Sequence, residues 1–142
     1  MDQLNLIFPE LFLIISIMIL LMIGVFFKNS FNLVFKLATL SLLIAIVLLF
    51  NISFDESSQI FNNSFTVDYL SLFMKVLTLL SCVFVMFSSF DYIKSINISK
   101  IEYPILILSS VLGMMIMISS YDLIVFYMGL ELQSLSLYVL AS

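Results

Sequence analysis

A single glutamate, Glu131, lies in the middle of a long apolar stretch and is the residue of this sequence best suited to chemistry. The stretch from Tyr121 to Ser142 reads YDLIVFYMGLELQSLSLYVLAS, and about 20 residues are enough for a helix to cross a bilayer. A charged side chain at the centre of a membrane helix costs about 2.5–3.5 kcal/mol on insertion scales. A partner, a water-filled cavity or protonation must lower that cost, so such an acid most often serves ion or proton movement.

Four hydroxyl-bearing residues share the helical face of Glu131, provided that the stretch forms one continuous helix. At about 100° per residue, each lies within roughly 60° of Glu131 around the axis; they are Ser120, Tyr127, Ser134 and Tyr138. We call these residues with Glu131 the polar stripe. We expect the stripe to solvate the carboxylate or to guide a short line of water, although each hydroxyl could instead bond only locally or across helices.

The composition is that of an integral membrane protein. The chain has 142 residues, 63% of them hydrophobic and only 10% charged, whereas soluble domains are about 25% charged. Five lysines without arginine form no basic patch, which excludes nucleic acid as a partner. Cys82 is the only cysteine and histidine is absent, so we expect neither an intrachain disulfide nor a Cys/His metal site.

Five apolar runs predict an all-α, polytopic membrane helix bundle that forms a single transmembrane domain over residues 1–142. Backbone groups in lipid must be satisfied within the segment, so runs of this length indicate helices. The predicted helices cover residues 11–27, 33–50, 69–90, 101–119 and 123–141. The polar connection 51–66 is predicted to lie at the surface, with or without a short interfacial helix. The N-terminal segment lacks a basic region and a cleavage site, so we expect no signal peptide.

The lysines flanking the helices predict the orientation. Lys28 and Lys36 flank the first connection and Lys94 and Lys100 the third, whereas the segments on the other side carry acidic residues and no flanking lysine. By the positive-inside rule, the N-terminus faces outside and the fifth helix runs from outside to inside.

Two further charged residues fall within or beside the apolar runs. Glu10 follows Pro9 in the first turn of helix 1, where an acid complements the positive helix end, and this local role is sufficient to explain it. Lys75 lies six residues into helix 3. It could extend to the outer interface, pair with Asp68, or pair with a carboxylate on a neighbouring helix. In helix 4, Ser109 and Gly113 form a small-xxx-small pattern that allows close helix approach.

The sequence also resembles a known family. The segments FPELFLIISIMILLMIGVF, DYLSLFMKVLTLLS and EYPILILSSVLGMMIMISSYDLIVFYMGLELQSLSLYVLAS are similar, in this order, to the start of subunit N of proton-translocating NADH:quinone oxidoreductase (complex I), called subunit 2 in mitochondria. The resemblance covers essentially the whole chain, and its most specific part is SSYDLIVFYMGLELQSLSLYVLAS.

The resemblance implies an antiporter-like subunit of the membrane arm, with its N-terminus outside. In that family the glutamate matched by Glu131 belongs to a proton half-channel and works with lysines on later helices, and Lys75 matches a lysine of bacterial relatives. The implied partners are other complex I membrane subunits, the lipid bilayer and the remaining helices of the subunit. The complex uses NADH and quinone, but no cofactor and no redox centre is expected on this chain. The implied location is the bacterial inner membrane, with the mitochondrial inner membrane as the alternative.

The departure from the family is in length, because its members have about 14 helices and this chain has five. We therefore expect a fragment, or one product of a split gene, without the later lysines. Two other interpretations stay open: a subunit of a cation/proton antiporter or related membrane-bound complex, and a purely structural segment of the membrane arm.

Overall fold

The computed structural model describes residues 7–27, 31–51, 58–60, 65–67, 69–95 and 102–141, which include five helices and two short strands. The helices are α1 (Phe8–Phe26), α2 (Phe31–Phe50), α3 (Tyr69–Ser95), α4 (Glu102–Ser119) and α5 (Leu123–Ala141), and the strands are β1 (Ser58–Ile60) and β2 (Phe65–Val67). The predicted all-α bundle of five helices is confirmed.

Four of the helices are long and apolar enough to cross a membrane: α1, α2, α3 and α5. They are apolar around most of their circumference, as expected of helices surrounded by lipid or by other apolar helices. In α4 the apolar stretch Tyr103–Ser119 is shorter. The chain is thus a multi-pass membrane protein.

The helix ends depart from the predicted ones where polar residues continue a helix beyond its apolar run. Helix α1 begins at Phe8, with Pro9 in its first turn, where the missing N–H of proline costs nothing. Helix α3 continues past Phe90 to Ser95. The Lys94 ammonium lies 5.7 Å from the centre of the Phe90 ring and within the last turn, where a cation is favourable.

Helix α4 lies at the centre of the bundle. It packs against α1, α2, α3 and α5, and its side chains Leu108, Val111 and Met115 are fully buried. Helix α5 makes its extensive contact with α4 and leaves most of its remaining surface exposed. The core therefore lies among α1–α4, and α5 covers one side of it.

The connection between α2 and α3 contains a short antiparallel hairpin. Strand β1 pairs with β2, with Ser58 opposite Val67 and Ile60 opposite Phe65. The interfacial helix considered for this connection is absent from its described residues, which form strands instead. Strand β2 contacts α3 and α4, so the hairpin lies against the end of the bundle at which α3 begins.

Candidate functional site

Glu131 lies close to the middle of α5, about 12 Å along the axis from its first residue, Leu123. The Tyr127 hydroxyl and the Glu131 carboxyl lie one helical turn apart and interact electrostatically. A phenol O–H is a good donor to a carboxylate, and side chains four residues apart on a helix lie on the same face. Tyr127 is therefore the hydroxyl neighbour of the carboxylate on its own helix.

The polar stripe points away from the described bundle. Helix α5 contacts α4 through a face that contains Gly129, Leu132 and Ser136. At about 100° per residue, Glu131 lies on the opposite side of the helix from Gly129. In agreement, Tyr127 and Tyr138 are exposed, whereas Glu131 is only half-buried.

Ser120 does not belong to the polar stripe, so its placement by helical periodicity is wrong. Helix α5 begins at Leu123, after the turn at residues 120–122. The Ser120 hydroxyl donates a hydrogen bond of 2.7 Å to the carbonyl oxygen of Met117, in the last turn of α4. Because the chain is not helical between α4 and α5, the periodicity of α5 does not apply to Ser120. Tyr127, Ser134 and Tyr138 remain on the face of Glu131.

Lys75 lies inside the bundle and forms a salt bridge with Glu10. Its ammonium donates a hydrogen bond to Oε1 of Glu10, which joins α3 to α1. Lys75 is 1% exposed and Glu10 is 5% exposed. Extension of Lys75 to the interface is therefore excluded, and pairing with a carboxylate on a neighbouring helix is confirmed. Asp68, the other suggested partner, lies outside the described residues.

The partner of Glu10 is the feature that sequence reasoning missed. Glu10 does lie in the first turn of α1, as predicted, but its side chain is buried against Lys75 instead of acting only on its own helix end. The sequence did contain a signal for this pair. Each residue follows the start of its helix by less than two turns, and both helices are predicted to begin on the outer side. Two opposite charges at a similar depth in the membrane indicate an ion pair between the helices.

Two glycines bring α4 and α5 into backbone contact. A Cβ atom on Gly113 would lie 2.8 Å from the backbone nitrogen of Gln133 and 2.9 Å from the carbonyl oxygen of Gly129. A Cβ atom on Gly129 would lie 3.0 Å from the carbonyl oxygen of Gly113. The close approach predicted for Gly113 is confirmed. Since both glycines meet at the crossing, they fix where the face of Glu131 lies relative to the core.

The described residues contain no cluster of three or more His, Cys, Asp or Glu side chains that could hold a metal ion. Cys82 is a half-buried free thiol in α3. The candidate groups in this part of the chain are the Glu131 carboxyl with its hydroxyl neighbours and the Glu10–Lys75 pair.

Comparison with known proteins gives consistent results, although no family model matches the chain. The chain is 58% identical to NADH-quinone oxidoreductase subunit N of Pelagibacter ubique over 142 residues, which are 100% of this chain and 30% of that protein. It is 41% identical to the protein of the same name from Bartonella bacilliformis over 140 residues, 99% of this chain and 28% of the relative. For that from Maricaulis maris the identity is 41% over 141 residues, 99% of this chain and 29% of the relative.

The bundle of long apolar helices defines the chain as part of a multi-pass membrane protein. Over its full 142 residues, it is similar to NADH-quinone oxidoreductase subunit N proteins and corresponds to the N-terminal portion of these relatives. The chain spans 28–30% of the length of these relatives.

Proposed function

We propose that the chain is part of a membrane-arm subunit of a respiratory NADH:quinone oxidoreductase and that Glu131 transfers protons there, coupled to quinone reduction. The observation that carries the proposal is the match of the whole chain to subunit N relatives. Its support within the chain is an acid in the middle of an apolar helix, with the Tyr127 hydroxyl as its neighbour on the same face.

The proposed mechanism is electrostatic. Removal of water from around a carboxyl group favours its neutral form, whereas a nearby cation favours the carboxylate. A change in the distance or charge of a neighbouring lysine would therefore make Glu131 take up or release a proton. Energy for that change would come from quinone reduction elsewhere in the complex.

The exposed face of α5 supports the proposal that Glu131 has a partner outside these residues. Glu131, Tyr127 and Tyr138 point away from α4, and the chain covers only about 30% of its relatives' length. We propose that later helices of the same subunit cover this face and bring the lysine that acts with Glu131. Lys75 does not fill that role in this structure, because its ammonium is paired with Glu10.

The relatives named above come from bacteria. We propose the bacterial inner membrane as the location and other complex I membrane subunits as the partners. NADH and quinone would be used by the complex, and no cofactor is proposed on this chain.

Replacement of Glu131 in the intact complex tests the proposal. Glu131→Gln keeps the size of the side chain but cannot exchange a proton, so we expect an assembled complex that moves fewer protons per quinone reduced. Glu131→Asp, which keeps the acid, is the matched control and should retain more of the pumping. An unchanged proton stoichiometry in Glu131→Gln would refute the role, and loss of assembly would favour a purely structural one.

A further inference from the structure

The Glu10–Lys75 pair contains a buried oxygen atom with an unused hydrogen-bonding capacity. Oε1 of Glu10 accepts a hydrogen bond from Lys75, whereas Oε2 is buried and has no partner among the described residues. The Glu10 side chain is 7% exposed. Buried polar atoms in proteins nearly always have a partner, and ordered water supplies it where the protein does not. The geometry thus calls for an O–H donor at Oε2.

Packing alone does not account for these two charges. Buried ion pairs can often be replaced by apolar residues of similar volume without loss of stability, because desolvation of the charges offsets their attraction. Contacts among α1, α2 and α4 already bury apolar side chains such as Leu13, Leu42 and Leu108 completely. Ionisable groups within membrane helices are, by contrast, typical of functional sites.

Few other ionisable side chains lie near the pair on the described helices. Near the end of the bundle where α1 and α3 begin, α1 carries no ionisable residue besides Glu10, and α3 adds only the exposed Tyr69. On α2 and α4, which pack nearby, the corresponding C-terminal halves carry none. Lys36 of α2 and Tyr103 of α4 lie near the opposite ends of their helices. Among the described helices, Lys75 is therefore the charged neighbour of Glu10.

The pair lies near the first residues of its two helices. Glu10 lies about 3 Å and Lys75 about 9 Å along the axis from the first residues of their helices. Both helices are predicted to begin on the outer side, so the pair lies closer to the outer aqueous phase than to the middle of the bilayer.

We propose that Glu10 and Lys75 form a second proton-binding site, separate from Glu131, with a water molecule bound at Oε2 of Glu10. When Lys75 moves away, the carboxylate takes one proton from a hydronium ion at Oε2 and becomes a neutral carboxyl, leaving water. When Lys75 returns, the proton leaves to water and the salt bridge forms again. The inference rests on the proposed membership of a proton-translocating complex but not on the role of Glu131.

A high-resolution density map of the intact, unaltered complex tests the water site directly. We expect an ordered water within hydrogen-bond distance of Oε2, about 2.5–3.0 Å. A protein donor at that position, for example from residues 1–6 or 61–68, would overturn the proposal.

The double variant Glu10→Leu/Lys75→Met tests the proton-binding step. It removes both charges while keeping side chains of similar volume. The complex should therefore assemble and reduce quinone, but it should move fewer protons per quinone. Normal proton stoichiometry in the assembled variant would overturn the proposal, as would failure to assemble, because packing would then require the charges. Glu131→Gln, measured in parallel, separates the two roles. If only Glu131→Gln moves fewer protons per quinone, this inference is refuted. If only the double variant does so, the role of Glu131 is refuted.

Discussion

Glu10 and Glu131 are both acids within apolar helices, but the described structure surrounds them differently. Glu10 lies inside the α1–α4 core, where Lys75 neutralises its charge. Glu131 lies on the far side of α5 from the core, half-buried, with the Tyr127 hydroxyl as its neighbour. One acid has its counter-ion within this chain, and the other has a hydroxyl neighbour on a face that points away from the core.

The two environments predict different responses to replacement of a single residue. Loss of one partner of the buried pair leaves a charge in the core, so it should lower the stability of the helices whatever else the pair does. An acid on an uncovered face contributes little to the packing of these helices, so its replacement should lower their stability far less.

Removal of the lysine alone should have the largest effect on stability. Lys75→Met leaves the Glu10 carboxylate buried without its cation, which in other proteins costs about 3–5 kcal/mol. We expect a strongly reduced amount of assembled complex and a lower Tm in detergent, both measured on the purified complex. Neutral replacement of Glu131 should lower the Tm far less.

The matched control is Lys94→Met on the same helix. Lys94 is exposed, and its contact with Phe90 is worth about 0.5–1 kcal/mol at such a site. If Lys75→Met and Lys94→Met lowered the Tm equally, the Glu10–Lys75 pair would not be enclosed as described.

A methyl group at the α4–α5 crossing should have the next largest effect. In Gly113→Ala the added carbon would lie 2.8 Å from the backbone nitrogen of Gln133, so α5 must shift away from α4. Added volume at a tightly packed contact costs about 1–3 kcal/mol. Because α5 carries Glu131, we expect a lower Tm together with less proton pumping.

Gly24→Ala is the control for the change of glycine to alanine in a helix. Gly24 is half-buried in α1, and alanine is the better helix former by about 1 kcal/mol. This variant should be neutral or stabilising. A Gly113→Ala complex with unchanged Tm and pumping would show that the two helices do not touch at this position.

The sequence predicted the fold better than the site, for physical reasons. Helix number and type follow from apolar length, which is a property of each segment alone. The Glu10–Lys75 pair depends on how α1 and α3 pack, so no local pattern could select it from the three possibilities open to Lys75. The error at Ser120 had a local cause: the periodicity was extended through the turn that ends α4. Gly129 was missed because its contact with Gly113 becomes visible only when both helices are placed.

The smallest expected effect distinguishes the hydroxyl of Tyr127 from that of Ser120. Tyr127→Phe removes only the hydroxyl that neighbours Glu131, and a polar interaction of this kind at an exposed position contributes about 1 kcal/mol, so the rate of proton pumping should fall several-fold at most. Ser120→Ala is the matched control, because its hydroxyl bonds to Met117 outside α5; pumping in this variant should be unchanged. A larger loss in Ser120→Ala than in Tyr127→Phe would mean that the polar stripe continues through the turn after all, and that Ser120 contributes to the same proton path as Glu131.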